Sequence, residues 1–132
     1  MHVRSILEDS KGRLWIGNNG IGVQLMEHNS IIHFSEKMNL LKGKLFQTKS
    51  PAGTLMHVFA IKEDSQGNIW FGDRDTGAWR FDGKEMRNFT LDATLNTQHI
   101  WDICEDKNGN LLFTSGDRGV YKFNGNGFDR MF

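Results

Sequence analysis

The chain has 132 residues, 16 basic and 16 acidic side chains, a formal net charge of zero, one cysteine and 15 glycines. A single cysteine excludes an intramolecular disulfide framework and a multi-cysteine zinc cluster, and the lack of a basic run argues against nucleic acid as a partner. No apolar run approaches the roughly 20 residues that cross a bilayer, and residues 1–10 lack the pattern of a signal peptide. We therefore expect one soluble domain with no membrane segment. It would be cytoplasmic as the chain stands, and extracytoplasmic if it is a fragment of a sensor protein.

An internal repeat organises the chain. Residues 6–17 read ILEDSKGRLWIG, residues 61–72 read IKEDSQGNIWFG, and residues 103–114 read ICEDKNGNLLFT. Three units of about 44 residues fill the sequence, with an insertion in the first unit.

Each unit predicts four short strands, since its apolar and β-branched runs are separated by Asp- and Gly-containing turns. The first unit predicts strands at Val3–Glu8, Leu14–Gly17, Val23–Met26 and Ile31–Phe34. The second predicts Val58–Glu63, Ile69–Gly72, Ala78–Phe81 and Met86–Phe89. The third predicts Ile100–Glu105, Leu111–Thr114, Val120–Phe123 and Phe128–Met131. No segment has a sustained helical period, so an all-β chain is favoured.

Four-stranded units of this length with Gly and Trp markers are typical of β-propeller blades. The pattern V-x-x-I-x-E-D-x-x-G-x-[LI]-W-[IF]-G resembles the two-component regulator propeller repeat. The match is strong in two units and partial in the third, where Leu112 replaces the Trp and Thr114 the Gly. The resemblance implies a relation to extracytoplasmic sensor regions of hybrid two-component regulators, several of which sense glycans.

The expected fold is all-β, with three four-stranded antiparallel blades in one propeller domain that spans residues 1–132. Blade 1 takes about residues 2–36 and is followed by an insertion at 37–56, blade 2 takes about 57–98, and blade 3 about 99–132. Propellers typically close with about 4–8 blades. We therefore expect a homodimer that forms a six-bladed ring, because an uncovered blade face is an association surface. The alternative is that the chain is an excerpt of a longer propeller.

One histidine precedes the first strand of each unit: His2, His57 and His99. A ring of imidazoles near the channel would bind a ligand or a transition metal. The alternative, which we favour, is that each histidine bonds to a neighbouring blade and fixes its packing. No metal ion or cofactor is therefore predicted.

The same end of the blades gathers side chains that differ between units. Arg4, Phe59 and Trp101 lie on the first strands, and an arginine beside aromatic rings suits a sugar or a carboxylate ligand. The turns between the second and third strands add Asp73, Arg74, Asp117 and Arg118 to this predicted rim site. The alternative is an ordinary polar turn with Asp–Arg pairs that contribute little.

No catalytic residue is predicted. The repeated Glu–Asp pair, as at Glu8–Asp9, is expected to be structural because adjacent strand residues point to opposite faces. Cys104 is expected to be a buried filler, and Tyr121 occupies a repeated packing position. We therefore favour a non-enzymatic ligand-binding or interaction module that takes a small polar ligand, a glycan or carboxylate, at the channel rim. The alternatives are a glycan hydrolase or lyase on a propeller, and a purely structural half-propeller that assembles with itself.

Overall fold

A computed structural model describes residues 2–95, 97–116 and 118–132 and folds them into three four-stranded antiparallel sheets. Blade 1 contains β1 (Val3–Glu8), β2 (Leu14–Asn18), β3 (Gly22–Glu27) and β4 (Ser30–His33). Blade 2 contains β5 (Val58–Glu63), β6 (Ile69–Asp73), β7 (Gly77–Phe81) and β8 (Met86–Phe89). Blade 3 contains β9 (Ile100–Glu105), β10 (Leu111–Ser115), β11 (Gly119–Phe123) and β12 (Phe128–Arg130). The predicted all-β fold of three propeller blades is confirmed.

The structure departs from the predicted elements at the start of the insertion. Phe34, predicted to end the outer strand of blade 1, instead begins a one-turn helix, α1 (Phe34–Lys37). Its ring is buried edge-on against Trp15, with the ring centroids 4.9 Å apart. The Ser35 hydroxyl then accepts the Val23 N–H and donates to the Leu55 carbonyl, both at 2.9 Å. Burial of Phe34 and these two bonds turn the chain out of the strand.

An aspartate shapes the turn after each first strand. In blade 1, Asp9 Oδ1 accepts the backbone N–H groups of Lys11 and Arg13, and Oδ2 accepts the indole N–H of Trp15 at 2.8 Å. Asp64 makes the equivalent bond to Trp70 in blade 2, also at 2.8 Å. These bonds explain why Asp and Trp recur six residues apart in the first two units.

Two apolar cores lie between the three blades, so each blade has two different faces. We call the side that packs on the next blade the trailing face, which Trp15 and Trp70 mark in blades 1 and 2. The side that packs on the preceding blade is the leading face, which Phe71 and Phe113 mark in blades 2 and 3. Blade 2 has a neighbour on both faces, and all five residues of its second strand, β6, are buried.

A carboxylate crosses each junction between blades. Glu63, at the end of β5, accepts the Ser10 N–H at 2.8 Å and the Ser10 hydroxyl at 2.6 Å. Glu105, at the end of β9, accepts the Ser65 N–H at 3.2 Å. We call this repeated contact the glutamate latch. It ties the first turn of one blade to the inner strand of the next.

The prediction that Cys104 is buried is wrong, because its side chain is exposed. Cys104 pairs with Leu112 on the trailing face of blade 3, and the described chain provides no further blade to cover that face. Within the same described residues, no helix combines the length and apolar character needed to span a membrane.

Candidate functional site

The inner strands of all three blades contain an irregularity at the same position. The pairing with the second strand shifts between Val3 and Ser5 in blade 1 and between Val58 and Ala60 in blade 2. The same shift in blade 3 leaves Trp101 without a cross-strand partner. A β-bulge of this kind turns its extra residue away from the regular alternation of the strand. The residues released in this way are Arg4, Phe59 and Trp101.

These three bulge residues form a continuous row across the blades. The Arg4 guanidinium carbon lies 5.0 Å from the centroid of the Phe59 ring, which places a cation over the ring. The Phe59 and Trp101 centroids are 4.9 Å apart in an edge-to-face arrangement. Trp101 is 48 % exposed, so its indole is open to a ligand at the end of the row. We call Arg4, Phe59 and Trp101 the bulge row.

The three histidines share a backbone role but differ in their side-chain surroundings. The carbonyl groups of His2, His57 and His99 accept the N–H groups of Asn19, Arg74 and Gly116, at 2.8, 2.9 and 2.8 Å. His2 is exposed, His99 is half-buried, and His57 is buried. The equivalent position therefore does not build a symmetric collar in this chain. Among the described residues, no three His, Cys, Asp or Glu side chains are grouped as metal ligands.

The buried His57 anchors the insertion to blade 2. Its Nε2 donates to the Gln47 carbonyl at 2.7 Å, and its Nδ1 lies 2.7 Å from the Ser50 hydroxyl oxygen. The same hydroxyl lies 3.0 Å from Asp73 Oδ2. Although the set contains Ser, His and Asp, Ser50 is only 4 % exposed and the histidine Nε2 is occupied by a carbonyl. This geometry serves folding and offers no accessible nucleophile.

Asp73 is fully buried and is not available to a ligand at the rim. Its Oδ2 accepts the backbone N–H groups of Met56 and His57, and its Oδ1 accepts those of Asp75 and Thr76. Burial raises the pKa of Asp73, and the four N–H groups oppose that shift by stabilising the carboxylate. The side chain thereby holds the turn after β6 and the end of the insertion in place.

The remaining predicted turn residues have different surroundings. The Arg74 guanidinium donates to both carboxylate oxygens of Asp75, at 3.2 and 3.1 Å, and to the Thr48 carbonyl. Arg118 is exposed. Asp117, also predicted for the site, lies outside the described residues.

A cavity of about 280 Å³ opens at the end of the blades where the first strands begin, which we call the rim end. Its lining includes His2, His57 and Arg74 from the predicted set. It also includes Phe46 and Thr48 from the insertion. His2 and His57 precede the bulge residues Arg4 and Phe59 by two positions along the chain, so the cavity and the bulge row lie at the same end of the blades. The exposed side chains at this end include those of His2, Arg4, Phe46 and Trp101.

Sequence reasoning did not identify Phe46, Thr48 or Ser50 as part of this region. They lie in the insertion, which has no counterpart in the other units and therefore no repeat with which to align it. One signal was available: the equivalent positions Asn18, Asp73 and Ser115 are all polar at the end of an apolar strand. In blades 2 and 3 this side chain bonds to the segment that precedes the inner strand, at Ser50 and Met56 in blade 2 and at Gln98 in blade 3.

Comparison with known structures shows a shared propeller architecture. The extracellular domain of a putative hybrid two-component system from B. thetaiotaomicron is 19 % identical, with a TM-score of 0.74 over 98 % of this chain and 18 % of its own. Virginiamycin B lyase from Staphylococcus aureus is 16 % identical, with a TM-score of 0.68 over 96 % of this chain and 40 % of its own. PorZ, a surface component of the type-IX secretion system of Porphyromonas gingivalis, is 19 % identical, with a TM-score of 0.62 over 95 % of this chain and 18 % of its own.

The chain thus spans about two fifths of the lyase and about a fifth of the other two proteins, and identities this low establish the fold alone. No curated protein sequence matches it. A family model described as two component regulator propeller matches residues 1–20, 53–75 and 94–117. These segments contain the inner strand, the aspartate turn and the second strand of the three blades. Together they amount to half of the chain, which therefore belongs to the two-component regulator propeller family.

Proposed function

We propose that this module is a non-enzymatic, sensor-like binding domain that takes a small polar ligand, a glycan or a carboxylate, at the rim end. The bulge row is the observation that carries the proposal. Three bulges at one repeat position release Arg4, Phe59 and Trp101, whose side chains differ between strands that share a repeat pattern. Variable side chains on a repeated scaffold are a common basis of binding specificity.

The chemistry of the row suits a ring that carries hydroxyl or carboxyl groups. The face of Trp101 offers a flat apolar surface for a sugar ring, and the Arg4 guanidinium supplies paired donors for a carboxylate. The cavity at the rim end adds the exposed imidazole of His2. Membership of the regulator propeller family and the likeness to extracellular sensor domains support a sensory role outside the cytoplasm.

Calorimetric titration with three probes tests the proposal. Trigalacturonic acid carries both sugar rings and carboxylates, cellotetraose carries rings alone, and citrate carries carboxylates alone. We expect at least one probe to bind, and we expect Trp101→Ala to weaken binding of a sugar probe roughly tenfold, since stacking on one aromatic residue contributes on the order of 1–2 kcal/mol. Arg4→Ala should weaken the carboxylate-containing probes selectively.

Ile31→Ala is the matched control, because Ile31 is a 57 % exposed apolar residue on the outer strand of blade 1. It should leave all titrations unchanged. Failure of all three probes to bind, or binding that survives both Arg4→Ala and Trp101→Ala, would overturn the proposed site.

A further inference from the structure

The leading face of blade 1 is exposed at positions that are buried or half-buried in the other two blades. Val3 is 51 % exposed, whereas the equivalent Val58 and Ile100 are 0 % exposed. Ile6 is 62 % exposed, whereas the equivalent Ile103 is 5 % exposed. Because these equivalents form the cores between blades, the leading face of blade 1 has the composition of one half of a blade junction.

The trailing face of blade 3 is the matching half. Met131 is 50 % exposed at the repeat position where Phe34 and Phe89 are 3 % and 5 % exposed. The exposed Cys104 and the half-buried Leu112 lie on the same face. The chain therefore carries both halves of one further junction, at opposite ends.

The two free faces also carry opposite charges at the position of the glutamate latch. Glu8 is the equivalent of Glu63 and Glu105, which accept hydrogen bonds from the preceding blade. Lys107 is the equivalent of Ser10 and Ser65, which donate those bonds. Both Glu8 and Lys107 are exposed in the chain. A blade 3 placed against a blade 1 would therefore bring an ammonium and a backbone N–H to the Glu8 carboxylate.

We propose that the leading face of blade 1 binds the trailing face of blade 3 from a second copy of this chain, so that two copies close a six-bladed ring. Two identical junctions related by a two-fold axis use every free face, and closure of this kind stops at two copies. Six blades fall within the range of about 4–8 that propellers use. The latch charges favour the pairing of blade 1 with blade 3 over that of two like faces.

Ring closure would also complete the bulge row. Across the two junctions within the chain, neighbouring bulge residues lie 5.0 and 4.9 Å apart. The junction between copies would place Arg4 of the second copy beside the open side of Trp101. Completion of the bulge row matters only if the proposed ligand site is correct. The association of two copies does not depend on a ligand and is measured without one.

The junction between copies is expected to pack less closely than the two internal ones. A Cβ atom at Gly17 would lie 2.9 Å from Val58 Cγ1, and one at Gly72 would overlap the side chain of Ile100. Blade 3 has Thr114 at this repeat position, which adds a side chain where the other blades have none. Replacement of Thr114 by glycine should therefore tighten the association.

The solution mass of the 132-residue chain tests the proposal. Sedimentation velocity from 1 to 100 µM should give about twice the 15.1 kDa mass of one chain. A mass of one chain throughout this range would overturn the proposal and leave the free faces to other blades of a longer protein. Growth beyond two copies would overturn closure, because it indicates open-ended stacking.

Charge reversal then tests which faces meet. Glu8→Lys places like charges at the latch and should weaken dimerisation roughly tenfold or more, and the double variant Glu8→Lys with Lys107→Glu should restore it. Thr114→Gly should strengthen it. Glu85→Lys, which makes the same charge change at an exposed hairpin of blade 2, is the control. A dimer that Glu8→Lys leaves unchanged, while circular dichroism shows a folded chain, would assign the contact to a different surface.

Discussion

The two ends of the blades differ in how closely the three repeats resemble one another. At the end with the first turns, Asp9, Asp64 and Asp106 each accept two backbone N–H bonds, all at 2.9 Å. At the rim end, one repeat position is occupied by Asn18, Asp73 and Ser115, each with different partners. The turn aspartate has the same role in every blade and keeps the same geometry. The polar residue at the rim end has a different role in each blade, and its identity differs accordingly. The divergent end is therefore where binding is expected to evolve.

The largest loss of stability is expected from Asp73→Ala at the rim end. The change leaves three buried backbone N–H groups, the half-buried Thr76 N–H and the Ser50 hydroxyl without their acceptor, which should lower the free energy of unfolding by roughly 3 kcal/mol or more. Urea unfolding measures the change.

Ser115→Ala is the matched control for Asp73, because it removes a polar group from the equivalent position of blade 3. Ser115 makes one bond to the Gln98 carbonyl, at 3.0 Å, so a loss of about 1 kcal/mol is expected. Equal losses in the two variants would show that the rim position has the same role in each blade.

A smaller effect is expected from Asp9→Ala at the other end of the blades. The variant loses the acceptor of the buried Trp15 indole and of two turn N–H groups. Its free energy of unfolding, measured in urea, should therefore be lower by about 2 kcal/mol. Asp106→Ala should cost less than Asp9→Ala, because Leu112, at the position of Trp15, has no side-chain N–H and the side-chain donor to Asp106 is the half-buried Asn110.

Acid provides a second measurement of the Asp9 turn. Burial opposes ionisation of Asp9, but hydrogen bonds from Trp15, Arg13 and Lys11 outweigh it and lower the pKa of the carboxyl. A pKa lowered by folding gives stability that is present above the unfolded pKa of about 3.9 and is lost as the pH falls through the folded value. The free energy of unfolding should therefore fall less steeply with decreasing pH in Asp9→Ala than in the unmodified chain. An equally steep fall would contradict the contribution of Asp9 to acid sensitivity.

The smallest effect is expected at the outer hairpin of blade 1. His28 and Asn29 form a two-residue turn with φ of 51° and 64°. Asparagine tolerates this left-handed conformation better than histidine, so His28→Asn should raise the free energy of unfolding by about 0.5 kcal/mol. His33→Asn on strand β4 should bring no gain, since asparagine is unfavourable in strands. A gain at both positions would point to an effect on the unfolded chain instead.

The repeat made most of the fold predictable. Three aligned copies of a strand–turn–strand pattern place every strand boundary within one residue of the structure, and the departure at Phe34 comes where the insertion begins. The bulges were not predictable, because the sequence fixes neither the register of a strand pair nor its local shifts. The role of Ser50 depends on contacts with Asp73, 23 residues away, and with His57, and nothing in a single sequence pairs them. Asp73 belonged to the predicted site because its turn is polar. Only the structure shows that backbone N–H groups occupy both oxygens of its carboxylate.

The exposure of Trp101 gives the molecule a built-in optical reporter. Trp15, Trp70 and Trp79 are at most 5 % exposed, so a water-soluble collisional quencher reaches Trp101 far more readily than the other three indoles. The red edge of the tryptophan emission therefore reports on the end of the bulge row while the blue edge reports on the cores. Occupation of the row, or its burial against another protein surface, is visible as protection from quenching without any label.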